Sequence, residues 1–115
     1  MLALGVDLVE VARISALLDR RGPERLGRLF TQAELSYALS SPPLVAQRLA
    51  ARFAAKEAFR KAMGRAVPFR EIELVLKERR PCLVWQGRLY PVSLTHTARY
   101  AAAVVALDPI PNPVR

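Results

Sequence analysis

Cysteine and histidine each occur once among the 115 residues, as Cys82 and His96. A lone cysteine closes no disulfide within the chain and suits a reducing, cytoplasmic setting. With a single histidine as well, no Cys/His cluster is available to hold zinc. The five glycines are scattered, and none belongs to a glycine-rich loop ending in Gly-Lys-Ser or Gly-Lys-Thr, which excludes that kind of phosphate cradle. Long apolar runs are missing too: Tyr100 to Leu107 is among the longest and is far too short to span a bilayer. The first ten residues contain Asp7 and Glu10 and lack a basic leader, so no signal peptide is expected. Acidic residues are the minority, 10 against 18 basic ones, most of them arginine, for a net charge of +8. Such a surface attracts nucleic acid, acidic proteins or phosphate-rich small molecules, without choosing among them.

What is present suffices for a core. Hydrophobic residues make up 52% of the chain, which argues against disorder. The length predicts one domain, 1–115, whose residues 108–115 form an irregular tail marked by Pro109, Pro111 and Pro113. Leu2, Leu4, Val6 and Leu8 alternate as in a strand, with Gly5 and Asp7 on its other side. Helical spacing begins at Val11 and runs to Arg20, and Gly22-Pro23 breaks it. Glu24 to Phe30 reads as a short second helix. Thr31-Gln-Ala-Glu34 has capping-box spacing and opens a third helix ending near Ser40. Leu44 to Met63, without glycine or proline and closed by Gly64, reads as a long central helix. Beyond Pro68 the pattern turns to strand at Ile72–Leu76, Cys82–Trp85, Val92–Thr95 and Tyr100–Leu107. The fold class expected is therefore α+β: an N-terminal strand, a helical middle and a C-terminal antiparallel sheet.

Two carboxylates occupy unusual places. Asp7 interrupts an apolar strand, and Glu57 shares a helix side with Ala46, Ala50, Phe53 and Ala54. If strand and helix pack on these sides, the carboxylates approach each other. Two like charges about 4 Å apart repel by roughly 4 kcal/mol at an effective dielectric near 20, a cost that a bound cation reverses. Carboxylate oxygens alone favour Mg²⁺. The plainer alternatives are an ion pair of Glu57 with Lys61, four residues on, and compensation of a helix dipole by Asp7. Arg52, Lys56, Arg60 and Lys61 are either a solvated helix face or, beside a metal, a place for a diphosphate. His96, in Ser93-Leu-Thr-His96-Thr97 at a hairpin, is either simply exposed or part of a phosphate-binding corner.

Three segments together resemble the holo-acyl-carrier-protein synthases, the small trimeric 4′-phosphopantetheinyl transferases. They are Gly5-Val-Asp7-Leu-Val-Glu10-Val-Ala-Arg13-Ile14, Arg52-Phe-Ala-Ala-Lys-Glu57-Ala-Phe-Arg-Lys61-Ala-Met-Gly64, and Ser93-Leu-Thr-His96-Thr97 followed by Tyr100-Ala-Ala-Ala. The resemblance implies transfer of 4′-phosphopantetheine from coenzyme A to a serine of apo acyl carrier protein, in support of fatty acid biosynthesis. It implies Mg²⁺ on Asp7 and Glu57, with Lys61 joining them in catalysis. It also implies coenzyme A contacts from Arg52, Lys61, Gly64, His96 and Thr97. Acyl carrier proteins are acidic, so Arg13, Leu17 and Arg20 on one helix face, with Arg25 and Arg28 beyond it, become the carrier-binding surface. The family also implies a homotrimer, which suits a strand Tyr100–Leu107 that is apolar on both faces. Neither membrane nor nucleic acid is an expected partner. The rival readings are a basic nucleic-acid-binding module, for which Phe53 and Phe59 would have to be stacking platforms, and a non-catalytic carrier-binding relative. Three stretches depart from the family pattern: Arg65-Ala-Val-Pro68 after the long helix, Arg79-Arg80-Pro81 in place of a Gly-Lys-Pro turn, and a shortened segment from Gly87 to Ser93 that leaves no room for a helix common there.

Overall fold

The computed structural model describes residues 2–108, so the prolines of the tail at 109, 111 and 113 lie outside it; for Glu24 it describes the backbone alone. Five antiparallel strands form one sheet in the order β1-β5-β4-β3-β2. They are β1 (Ala3–Glu10), β2 (Glu73–Lys77), β3 (Arg80–Trp85), β4 (Arg88–His96) and β5 (Tyr100–Leu107). The first and last strands pair, since Ala3 stands opposite Leu107 and Glu10 opposite Tyr100. Three helices connect β1 to β2: α1 (Val11–Arg21), α2 (Gln32–Leu39) and α3 (Val45–Met63). The α+β class is the one expected. Among the described residues no helix is long and apolar enough to cross a membrane.

α3 covers the inner face of the sheet. Ala50, Ala54, Ala55 and Ala58 are buried there, and their small side chains let the helix lie close against the strands. It meets Val9 of β1, Ala101, Ala103 and Val105 of β5, and Val92 of β4 in one buried cluster. Phe59 packs edge-on against Trp85 and Tyr90, with ring centroids 5.7 and 5.1 Å away, extending the core toward β3. β1 presents its small side, Gly5, Asp7 and Val9, to the helix. Its apolar alternation faces outward: Leu4 is 68%, Val6 63% and Leu8 67% exposed. A row of leucines and valines would hold the helix off; the row holding glycine does not.

Some elements differ from their sequence reading. Glu24–Phe30 is not a helix; a 3₁₀ turn spans Pro23–Leu26 and the chain then turns into α2, because Gly27 closes it almost at once. β4 begins at Arg88, immediately after a two-residue turn in which Gln86 and Gly87 have φ of 49° and 76°. The shortened segment thus lengthens a strand, and the absent helix is absent as expected. At the β2–β3 turn, Glu78 and Arg79 hold φ of 51° and 68° without a glycine, a strained pairing where the family pattern has a Gly-Lys-Pro turn.

One polar cluster ties the helical layer together. Thr31 and Glu34 form the expected capping box at the start of α2. Glu34 does more, however: its carboxylate accepts from Lys56 Nζ at 2.6 Å and from the backbone N–H of Leu74 at 2.8 Å. Lys56 Nζ also donates to the carbonyls of Leu29 at 2.8 Å and Phe69 at 3.1 Å. The side chains are 0% and 1% exposed. Burial lowers the Lys56 pKa from the ordinary lysine value, and the neighbouring Glu34 carboxylate opposes that shift. Removing one member of a buried pair strands the other's charge, at a cost of about 3–5 kcal/mol. Lys56→Met is expected to lose that much in urea unfolding at fixed protein concentration; a loss under about 1 kcal/mol would contradict the central place given to the pair.

Candidate functional site

Helical spacing divides α3 into faces, and each face meets a different part of the fold. Arg48, Arg52 and Lys56 are four apart and face α2. Lys56 is therefore not among the cations that could meet a diphosphate; the face on which it lies is sealed by α2 and the 3₁₀ turn Phe69–Glu71. Arg52 is buried beside it, its guanidinium 4.4 Å from the Tyr37 ring and its pKa lowered by desolvation. Nη1 of Arg52 donates to the Arg48 carbonyl at 3.3 Å, while its buried Nε has no partner among the described residues. Arg48 stacks on the same Tyr37 ring at 4.2 Å and donates to the Tyr37 carbonyl and the Ser40 hydroxyl at 2.8 and 3.0 Å.

The face toward β1 brings Lys61 to Asp7. Gly5 makes this possible: a Cβ there would lie 1.8 Å from the Ala58 carbonyl oxygen. With strand and helix in contact, Lys61 Nζ reaches Asp7 Oδ1 at 3.2 Å and the Val6 carbonyl at 3.0 Å. Glu57, one turn earlier, does not pair with Lys61 as its i,i+4 spacing suggested. Its Oε1 accepts from Arg60 Nη1 at 3.0 Å instead, because Lys61 is drawn to the strand. Each carboxylate thus engages one oxygen with a basic side chain and leaves the other without a hydrogen bond among the described residues. Two hard, partly exposed oxygen donors with uncommitted lone pairs fit a divalent cation of the Mg²⁺ type, which takes few protein ligands and fills its sphere with water and phosphate oxygens. Gly64, φ 73°, ends the helix just beyond, where its N–H donates to the Arg60 carbonyl and no atom lies within 4 Å of the place a Cβ would take.

A third face opens on a groove of about 730 Å³ between α3, α1 and the segment after α3. Leu17, Leu29, Phe53, Val67, Pro68 and Phe69 give it an apolar floor, and Arg13, Arg28, Arg60 and Arg70 line it together with one carboxylate, Glu57. Arg13 lies over the Phe53 ring at 5.1 Å and Arg60 over the Phe69 ring at 4.9 Å. Of the residues expected to bind a carrier, Arg13, Leu17 and Arg28 line this groove; Arg20 and Arg25 are exposed outside it. Phe53 and Phe59 are both buried, so neither offers a platform for base stacking. Arg70 and Phe69 escaped the sequence reading because they belong to a 3₁₀ turn with no periodicity of its own.

His96 and Thr97 stand elsewhere. His96 Nδ1 is 2.9 Å from Gln47 Oε1, at the opposite end of α3. Ten residues of helix separate Gln47 from Glu57, about 15 Å along the axis. Thr97 shapes the β4–β5 turn: its N–H donates to the Tyr100 carbonyl at 2.8 Å, and its hydroxyl accepts from the N–H of Tyr100 at 3.1 Å. Within one chain the expected coenzyme A contacts therefore fall into two groups, Lys61 and Gly64 at one end of α3, and His96 and Thr97 at the other, with Arg52 on the α2 side.

Comparison with known proteins shows the family. Residues 3–105 match the 4′-phosphopantetheinyl transferase superfamily. A holo-[acyl-carrier-protein] synthase of Gloeobacter violaceus is 40% identical, with 90% of each chain covered. One from Thermus thermophilus is 38% identical, with 94% of each covered. Among solved structures, a holo-(acyl-carrier-protein) synthase from Bacillus anthracis in complex with CoA (3′,5′-ADP) aligns with a TM-score of 0.78 and 31% identity, over 94% of this chain and 96% of that one.

Gly5→Ala tests the contact that carries Asp7 to Lys61. Forcing a methyl group into backbone is expected to cost about 3 kcal/mol, read by urea unfolding, and unchanged stability would mean that β1 does not lie this close to α3.

Proposed function

The chain belongs to the holo-acyl-carrier-protein synthases of the 4′-phosphopantetheinyl transferase superfamily, and from that premise we propose how its residues divide the work. It transfers the 4′-phosphopantetheine arm of coenzyme A to a serine of an apo acyl carrier protein. The serine oxygen forms a new P–O bond to the β-phosphate as its O–H bond breaks and the proton passes to water. The bond from that phosphorus to the bridging oxygen breaks, and adenosine 3′,5′-bisphosphate leaves with the electron pair. The observation that carries this reading is the groove that the arginines of α1 and its neighbours line together with Glu57. A carrier docked there by its acidic surface is already beside the carboxylate that would hold the metal. This is the arrangement by which a cytoplasmic synthase would serve fatty acid biosynthesis.

Phosphoryl-type displacement asks for positioning and charge neutralisation more than for covalent chemistry. Asp7 and Glu57 would hold Mg²⁺, which when bound neutralises charge on the diphosphate. Lys61, anchored on the Val6 carbonyl, is at the right end of α3 to turn its ammonium toward a phosphate oxygen. Gly64, with open space where a Cβ would be, lets a substrate approach the helix end. Arg13, Leu17 and Arg28 receive the carrier, the arginines setting encounter and orientation and the apolar floor the contact itself. Arg20 and Arg25, exposed beyond the groove, extend the field that steers it.

The two separated groups of coenzyme A contacts form one site if they come from different subunits. We place the chain in a homotrimer on that ground, and on the outer sheet face, where Leu4, Val6 and Leu8 of β1 adjoin Val104 of β5 and are exposed in the single chain. Closed cyclic association covers such a face without leaving an open edge.

Glu57→Gln removes a charged metal ligand while keeping shape. It is expected to lower turnover on the order of a hundredfold in saturating Mg²⁺ with the fold intact by circular dichroism, and near-normal turnover would sink the assignment. The composite site is tested by co-refolding Asp7→Asn and His96→Ala chains, each inactive alone. About one quarter of wild-type activity should return, the share of random interfaces that join two intact residues. Light scattering on the same preparation should give three chains per particle; a fully active monomer would refute the composite site.

A further inference from the structure

Arg60 is the one groove arginine that touches Glu57, and the proposed metal site gives it no role. Its Nη1 is 3.0 Å from Glu57 Oε1, with the two side chains 33% and 30% exposed. Its guanidinium also rests on the Phe69 ring, 4.9 Å from the centroid, so it has a second seat when the carboxylate is taken away. Arg13, Arg28 and Arg70 line the same groove, and among the described residues Glu57 is the only carboxylate lining it. We propose that Arg60 is a displaceable counter-ion for Glu57 that makes this centre discriminate against bare divalent metal and in favour of metal already bound to a diphosphate.

The inference rests on Glu57 being a metal ligand. A free divalent cation approaching Glu57 must displace a guanidinium and enter a field of three more, offset only by the carboxylates that would hold it. A cation carried on coenzyme A brings the phosphate charges with it, so the complex as a whole is anionic and the same arginines attract it. The order of binding follows: metal and coenzyme A enter together. Arg60, released from Glu57, stays on Phe69 and adds its charge to the arginines that face the carrier. Linkage then requires the reciprocal effect: whatever affinity metal–coenzyme A adds for the carrier, the carrier adds for metal–coenzyme A.

Mn²⁺ serves as the probe, its free concentration read by electron paramagnetic resonance without any turnover. Wild type should bind Mn²⁺ alone weakly, and Arg60→Ser should bind it about two- to fivefold more tightly, the range expected for an ion pair of this exposure. Arg13→Ala, which removes a groove charge that does not touch Glu57, should give a smaller change. An equal change in both variants would mean bulk groove charge rather than the contact, and would overturn the proposal, as would no change in Arg60→Ser. The second arm uses a carrier protein whose acceptor serine is replaced by alanine. Coenzyme A with Mn²⁺ should tighten its binding to wild type more than to Arg60→Ser, and equal tightening would overturn the carrier half of the proposal. Glu57→Gln separates the two levels. If it leaves Mn²⁺ affinity in the presence of coenzyme A unchanged, the underlying metal assignment fails. If that affinity collapses while Arg60→Ser behaves as wild type, only the counter-ion role fails.

Discussion

The ammonium of Lys56 and the carboxylate of Glu34 meet where water does not reach, and the position of every candidate site residue on α3 follows from that meeting. The pair joins α2 to α3, while its remaining hydrogen bonds reach Leu29 before α2, Phe69 after α3 and Leu74 at the start of the sheet's far edge. A buried pair of this kind contributes little net stability, because desolvation offsets most of the attraction. What it does fix is register. Two charges with every strong partner supplied tolerate neither a rotation of the helix nor a slip along its axis, and either would strand a charge. With Lys56 directed at α2, Glu57 at the next position must face another way, into the groove beside α1.

From that one orientation the rest of the site is arithmetic on the helix. Four residues after Glu57, Lys61 comes over β1, and Gly5 lets the strand approach closely enough for Asp7 to meet it. Three residues after Glu57, Arg60 overlies Phe69 and closes the carboxylate from the groove side. Ten residues before it, Gln47 holds His96 at the far end of the helix. A substrate as long as coenzyme A and a partner as large as a carrier protein call for contacts spread in this way. The helix works as a ruler, placing the residues proposed to hold metal, phosphate and carrier at set distances and on set sides.

Much of this was legible in the sequence where the signal is local. The capping box at Thr31 and Glu34, the glycine stop at Gly64, the long alanine-rich helix and the alternation of β1 each follow from spacing alone, and each stands in the structure. Local signals also misled. Spacing pairs Glu57 with Lys61, yet the strand's carbonyl and Asp7 lie closer to that lysine than a helical neighbour does. A row of cations on α3 read as a single charged face, although its members at 52 and 56 are buried and those at 60 and 61 are not. Nothing in the helix itself says which face another helix will cover. The side of β1 was legible: the Gly5 and Asp7 side packs on the helix as expected, although the other row is the more hydrophobic, because the glycine row is the one a helix can approach. The groove drew on residues from α1, α3 and an aperiodic 3₁₀ turn, and only the folded chain brings Arg13, Arg60 and Arg70 to one place.

The central claim is that these residues move a phosphopantetheinyl group rather than merely bind the molecules that carry it. Mass spectrometry tests this directly on wild-type protein incubated with apo acyl carrier protein, coenzyme A and Mg²⁺. The account predicts that the carrier gains the mass of a single phosphopantetheinyl group, on one serine, with adenosine 3′,5′-bisphosphate appearing in equal amount. A carrier of unchanged mass, recovered in complex with the folded protein and intact coenzyme A, would contradict it.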